Sequence, residues 1–220
     1  DIITQVAEQQ VDVLWVIDNS CSMSSYQTTL VNNFEYFMNY FLDSRLDWHI
    51  GVTSTDMTVE APGNRGTLRE FGNIKYIDRN TLNPVEVFRS MATLGTRGSG
   101  IEKGTAATFG VLNTNNGSVH NQDFYREDAN LSVIVISDEE DFTEEPILPE
   151  FIDWLGNLKD SVDKVNFSSI VCLREMPLND QGCGRAPNAI PSVGSRYISV
   201  TQAIGGILWD IRERDWAPVL

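Results

Sequence analysis

The run Val11-Asp12-Val13-Leu14-Trp15-Val16-Ile17 passes without a break into Asp18-Asn19-Ser20-Cys21-Ser22, and no other stretch constrains this chain so tightly. The first part reads as a strand of the buried kind, rich in β-branched and aromatic residues. The second sets one carboxylate and two hydroxyls at alternate positions of a tight loop, aimed at a single point. Oxygen donors of that kind suit Mg²⁺, Mn²⁺ or Ca²⁺, whereas Zn²⁺ calls for His or Cys in a tetrahedral cage. Ser and Asp are also favoured at helix starts, so Asp18 or Ser20 capping the helix that begins near Ser22 is the competing reading.

Two further segments favour the cation. The apolar stretch Leu131-Ser132-Val133-Ile134-Val135-Ile136 runs into Ser137-Asp138-Glu139-Glu140-Asp141, placing a second carboxylate at the carboxyl end of a strand. In open α/β sheets ligands bind at that end. Between the two lies Leu94-Gly95-Thr96-Arg97-Gly98-Ser99-Gly100-Ile101-Glu102-Lys103-Gly104, a glycine-rich loop with free hydroxyls that opens a helix.

Over nearly its whole length the chain resembles the von Willebrand factor type A domain. That family's metal-ion-dependent adhesion site reads Asp-x-Ser-x-Ser, then a Thr in a middle loop, then an Asp after a central strand. Asp18, Ser20 and Ser22 match the first element and Asp138 the last. For the middle ligand the family's spacing to a helix glycine selects Ser99, counted back from Gly104, with Thr96 as the alternative. Cys21 stands where the family commonly has Gly, which leaves the ligands intact. The opening strand, Asp-Asn-Ser-x-Ser-Met and the long amphipathic helix after it are similar to bacterial surface and envelope members. The resemblance implies Mg²⁺ (or Mn²⁺ or Ca²⁺) held largely through hydroxyls and water, with an open position for a Glu or Asp carboxylate or another anionic oxygen of a partner.

The rest of the chain alternates strand and helix. Strands are expected at 11–17, 48–54, 131–136, 166–173 and 206–211, and helices at 23–41, 85–91, 101–112, 149–163 and 196–204. Ile74-Lys75-Tyr76-Ile77 reads as a short edge strand. This rhythm predicts a Rossmann-like three-layer αβα fold, with a mostly parallel sheet covered on both faces. The resemblance makes the edge strand antiparallel. At 220 residues and 41% hydrophobic content the chain can bury a full core as one domain, 1–220, without a metal to make it fold. It starts at Asp1 and stops in an apolar pattern at Leu220, as a segment excised from a longer protein would.

A net charge of −15 repels phosphate backbones, so nucleic acid is an unsuitable partner. No run approaches the roughly 20 apolar residues of a membrane span. Cys172 and Cys183 bracket a short loop rich in Pro, Asn and Gly and are expected to form a disulfide, which places the protein at a cell surface, in a periplasm or in secreted fluid. Enzyme readings fare worse. A haloacid-dehalogenase-type phosphatase needs a second Asp where Ser20 stands, a receiver domain needs a Lys at a late strand end, and the Gly-x-Ser-x-Gly elbow of a serine hydrolase is absent around Ser99. The expected function is therefore a binding module, with Met57, Arg65, Arg97, Tyr125 and Glu139 as candidates for a specificity rim. A scaffold domain with a purely structural metal is the alternative; a Mg²⁺-dependent phosphoryl-transfer enzyme is the less favoured one.

Overall fold

The computed structural model describes residues 9–113, 118–174 and 192–218. Five parallel strands form one sheet in the order β2-β1-β3-β4-β5, with β1 at Gln10–Ile17, β2 at Asp47–Ser54, β3 at Asn130–Ser137, β4 at Val165–Val171 and β5 at Leu208–Asp210. The connecting helices are α1 (Ser24–Asp43), α2 (Pro84–Ala92), α3 (Gly104–Leu112), α4 (Leu148–Gly156) and α5 (Ser195–Ile204). The fold is a three-layer, Rossmann-like α/β sandwich.

The layers follow from the period-2 alternation of the strands. Val13, Trp15 and Ile17 of β1 face a core completed by α1 and α2, in which Trp15 meets the rings of Phe34, Phe37 and Phe88. Leu14 and Val16 face the opposite core, built with α3, α4 and α5. On α1 the buried Tyr26, Leu30, Phe34, Phe37, Met38 and Phe41 form the helical stripe that the sequence predicts.

Three expectations need correction. The antiparallel edge strand at 74–77 reduces to a single bridge, Ile50 with Ile77, closed by two backbone hydrogen bonds of 2.8 Å. The pairing does not extend because the chain bends at Lys75 and Tyr76, just after a tight turn that Phe71 and Ile74 close and in which Gly72 takes φ +62°. This irregular stretch still covers β2, with Arg69 N–H donating to Val52 O at 2.7 Å. Second, α4 ends at Gly156 instead of running to 163; a turn and a 3₁₀ segment at Val162–Lys164 lead into β4. Third, α3 begins at Gly104, leaving Ile101 to Lys103 in the preceding loop.

At the amino ends of the strands, Asp12 is fully buried. Arg126 binds it twice, N–H to Oδ2 at 2.7 Å and Nε to Oδ1 at 2.8 Å, and reaches Asp47 Oδ2 at 2.7 Å. Lys159 lies over the Tyr125 ring at 3.9 Å and donates to Arg126 O. Among the described residues no helix is long and apolar enough to cross a membrane.

Candidate metal centre

The strand order creates the site. β1 lies between β2 and β3, and the helix that follows β1 packs on one face of the sheet while the helix that follows β3 packs on the other. The loops leaving the two strands therefore part, and the crevice between their carboxyl ends is the topological switch point where such sheets bind ligands. Asp18 and Asp138 stand at those two ends.

Asp18 N–H continues the ladder to Ile136 O at 2.9 Å, which fixes the first loop against β3. Its carboxylate accepts from Ser20 N–H at 2.7 Å and from the Ser137 hydroxyl at 2.7 Å. The two motif hydroxyls meet at 3.1 Å, Ser20 Oγ to Ser22 Oγ, and Ser22 Oγ donates to Asp138 Oδ1 at 2.9 Å. Neither Ser20 nor Met23, the residues flanking the helix start, makes a side-chain cap. The hydroxyls turn toward the second carboxylate, so the capping reading of Ser20 does not describe this loop. Asp18, Ser20 and Asp138 are buried, and Ser22 is half-buried.

The middle loop closes the crevice. Gly98 N–H donates to Asn19 O at 2.9 Å, and a Cβ at Gly98 would lie 2.0 Å from Asn19 Oδ1, so a larger residue there would displace the Asn19 side chain. Ser99 Oγ accepts from Ile101 N–H at 3.0 Å and Ser99 N–H donates to Asp56 Oδ2 at 3.2 Å. No described hydrogen bond joins Ser99 or Thr96 to the Ser20–Ser22–Asp138 chain. The residue that this loop turns inward is Glu102. It is fully buried, Thr55 Oγ1 donates to its Oε2, and its backbone carbonyl accepts from Phe142 N–H at 2.7 Å. An acid ahead of a helix is ordinary, so residue type alone does not mark Glu102; the available signal was its place in a glycine-rich loop already assigned to the site.

The crevice gathers buried carboxyl groups. Burial, with the Asp18 charge next, pushes the Asp138 carboxyl up to about 7 and Glu102 up to about 9. Burial also raises Asp18, and burial and Asp18 together raise Glu139. No basic side chain is among the main causes of these shifts. Asp138 Oδ2, Glu102 Oε1 and Asn19 Oδ1 are buried without a hydrogen-bond partner. Orphaned acceptors in an acidic crevice fit a divalent cation, which would satisfy oxygen lone pairs and offset the repulsion at once. Among the described residues no three His, Cys, Asp or Glu side chains close on one point. What the crevice does bring together is mixed, the Ser20 and Ser22 hydroxyls beside Asp138, a kind of oxygen set that a hard cation tolerates.

Of the rim candidates, Glu139 is half-buried at the site and Arg97 is exposed on the middle loop. Met57 lines a cavity of about 470 Å³ with Lys103, Ala106, Glu144 and Glu145. Arg65 pairs with Glu60 at 3.3 Å. Tyr125 does not belong to the rim: its hydroxyl donates to Leu158 O at 2.9 Å, and it precedes Arg126 at the amino ends of the strands, the opposite end of the sheet. Cys172 is buried just after β4, whereas Cys183 lies outside the described residues. Cys21 is exposed and free.

No family model and no curated protein sequence matches the chain. Among solved structures it is similar to proximal thread matrix protein 1 from the mussel byssus, at 11% identity and a TM-score of 0.48, over 94% of this chain and 43% of that one. A second structure of that protein, with a zinc-occupied MIDAS motif, aligns at 15% identity and a TM-score of 0.46 over 76% of this chain and 39% of that one. The pilus adhesin SpaC from Lactobacillus rhamnosus GG aligns at 14% identity and a TM-score of 0.38, over 61% of this chain and 16% of its own. The chain thus spans less than half the length of each.

Proposed function

We propose that the chain is a divalent-cation-dependent adhesion or protein-binding module of the von Willebrand factor type A kind. Asp18, Ser20, Ser22 and Asp138 would hold the ion, with the middle loop completing the set. The observation that carries this reading is the continuous contact Ser20–Ser22–Asp138 across the crevice, ending in the unpartnered Oδ2 of Asp138. Ser22 is the half-buried member, so the ion would be reached from solvent on that side and could take an anionic oxygen from a partner. Neutral hydroxyls leave more of the ion's charge for that partner than carboxylates would. Binding rather than catalysis is supported by the histidines, both of which are held by backbone carbonyls, His49 by Phe124 O at 2.9 Å and His120 by Leu68 O at 2.8 Å. An extracellular, cell-surface or periplasmic location rests on the disulfide expected between Cys172 and Cys183.

One observation favours the structural-metal alternative. Asp18, Glu102 and Asp138 are all fully buried, and buried carboxylates can need a cation simply to stay folded. Titration of the protein with Mn²⁺, followed by solvent proton relaxation, separates the two. The binding reading expects one ion per chain, water still exchanging at the ion, loss of those waters on adding a Glu-containing peptide, and a chain that remains folded in chelator. No ion uptake would refute both readings, and unfolding on chelation would select the structural one.

A further inference from the structure

Both loops that face Asp18 across the crevice are fastened to one element that contributes nothing to the ion, the first turn of α5. The middle loop is held through Tyr197, a fully buried residue whose hydroxyl accepts from Gly104 N–H at 3.1 Å, two residues after Glu102. A Cβ at Gly104 would stand 2.5 Å from that hydroxyl, so the contact is possible only with glycine there. The third loop is held through Glu140, two residues after Asp138. Its carboxylate accepts from Ser195 N–H and from Arg196 N–H, both at 3.0 Å, and its own N–H donates to Ser192 Oγ at 2.8 Å. Because α5 has no side-chain cap of its own, Glu140 supplies the acceptors for its free amides.

Asp141 ties the same three pieces together. It accepts from Thr105 Oγ1 at 2.6 Å at the start of α3, from Thr143 Oγ1 at 2.8 Å in its own loop, and from Arg196 Nε at 3.1 Å on α5. Phe142 N–H then donates to Glu102 O at 2.7 Å, locking the third loop to the middle one. The separation of Glu102 from Asp138 is therefore set on both sides by hydrogen bonds that end on residues 195–197.

We propose that the first turn of α5 is a positioning element for the cation site, acting through Tyr197, Glu140 and Asp141, and that cation binding in turn tightens this turn against the two loops. The inference rests on the cation reading above. A hard cation requires its oxygens at fixed distances, so a brace that presets the spacing of the loops raises affinity without touching the ion. By linkage, the ion must stabilise the braced arrangement by the same factor by which the brace improves the ion's binding.

The test uses Mn²⁺ calorimetry together with amide hydrogen exchange on the wild-type chain, Tyr197→Phe, Glu140→Gln and Thr201→Val. Thr201 shares a buried 2.7 Å hydrogen bond with Ser169, whose hydroxyl also reaches Tyr197 O at 3.4 Å, so Thr201→Val disturbs the packing of α5 while leaving the hydrogen bonds of the Tyr197 hydroxyl and of the Glu140 and Asp141 carboxylates in place. In the wild type, Mn²⁺ should slow exchange at Gly104, Ser195 and Arg196 by about tenfold or more. Tyr197→Phe and Glu140→Gln should each weaken Mn²⁺ binding roughly three- to tenfold, with Gly104 losing its Mn²⁺-dependent protection in the first and Ser195 and Arg196 losing theirs in the second. Thr201→Val should bind as the wild type does. A wild type that takes up no Mn²⁺ would refute the cation reading and the brace with it. A wild type that binds, with both brace variants within twofold of it or with Thr201→Val equally impaired, would refute the brace alone.

Discussion

Replacing Asp138 by Asn separates the site's chemistry from its packing. Asn keeps the shape of the side chain and its Oδ1 can still accept from Ser22, whose hydroxyl now donates at 2.9 Å. What changes is the other oxygen, buried and unpartnered in the present structure, which becomes an NH₂ that no cation can accept as a ligand. Without cation, the variant also removes one negative charge from an acidic crevice. Its stability in chelator should therefore lie within about 1 kcal/mol of the wild type, since the new amide lacks an acceptor just as the old oxygen lacked a donor. With cation the two should part. At a hundred times the dissociation constant, an ion bound only by the folded state adds about 2.7 kcal/mol, which for a chain of this size is an upward shift in Tm of about 5–11 °C. If the substitution weakens binding a hundredfold, the same concentration adds only about 0.4 kcal/mol. Differential scanning calorimetry of both proteins, in chelator and in Mg²⁺ or Mn²⁺, reads all four values. A variant that keeps the full cation-dependent shift would refute the assignment of Asp138, and a large difference in chelator would show that its carboxylate is structural.

The remaining predictions address the middle loop, the opposite end of the sheet and the disulfide. The family pattern expects Ser99→Ala to weaken Mg²⁺ binding at least tenfold, about 1.4 kcal/mol; the observed geometry expects Glu102→Gln to do so and Ser99→Ala to stay within a factor of about three, and parallel calorimetric titrations decide. Arg126→Met should cost about 3–5 kcal/mol in urea unfolding, because it leaves the fully buried Asp12 without its cation, and the double variant with Asp12→Asn should recover part of that. Burial pushes Lys159 down to about 8 from an ordinary 10.5, so between pH 8 and 10 the unfolded chain holds the extra proton and this residue makes stability rise with pH. Lys159→Met should flatten that rise in urea titrations at pH 8 and pH 10. Finally, the intact mass without reductant should lie about two daltons below the reduced mass if Cys172 and Cys183 are bridged, with up to roughly 3 kcal/mol of stability lost on reduction; two free thiols on peptide mapping would remove the support for an oxidising location.

The sheet was legible because buried parallel strands advertise themselves twice, by continuous apolar runs such as 131–136 and by polar residues that stop them. Asp18 and Asp138 were legible for the same reason: each is the first residue that a buried strand cannot absorb. The edge at 74–77 misled because Ile74, Tyr76 and Ile77 are residue types that favour strands, while the bends at Lys75 and Tyr76 that interrupt it leave no mark in composition. The end of α4 was misplaced because Leu155 and Leu158 sustain an apolar spacing past Gly156, where the helix stops. Tyr125 was placed with the site only because loop residues carry no periodicity that could say which end of the sheet they reach. Ser99 and Glu102 differ by three residues, and only the contacts Gly98–Asn19 and Phe142–Glu102 show which of the two points inward.

That three-residue difference bears on what the site can do. A set made of Asp18, Ser20, Ser22, Ser99 and Asp138 has at most two negative charges, which a divalent ion cancels while its field remains available to a partner's carboxylate. With Glu102 ionised beside it, the same ion would sit in a crevice of net negative charge and repel the acid it is expected to capture. The two descriptions are reconciled if Glu102 stands behind the ion rather than on its open side. Its Oε2 is already held by Thr55, and its backbone is clamped between Phe142 and the start of α3. From that side it would strengthen the hold on the ion while leaving the half-buried Ser22 as the approach. The middle loop then contributes retention and the first loop contributes access, a division that a neutral hydroxyl at position 102 could not provide.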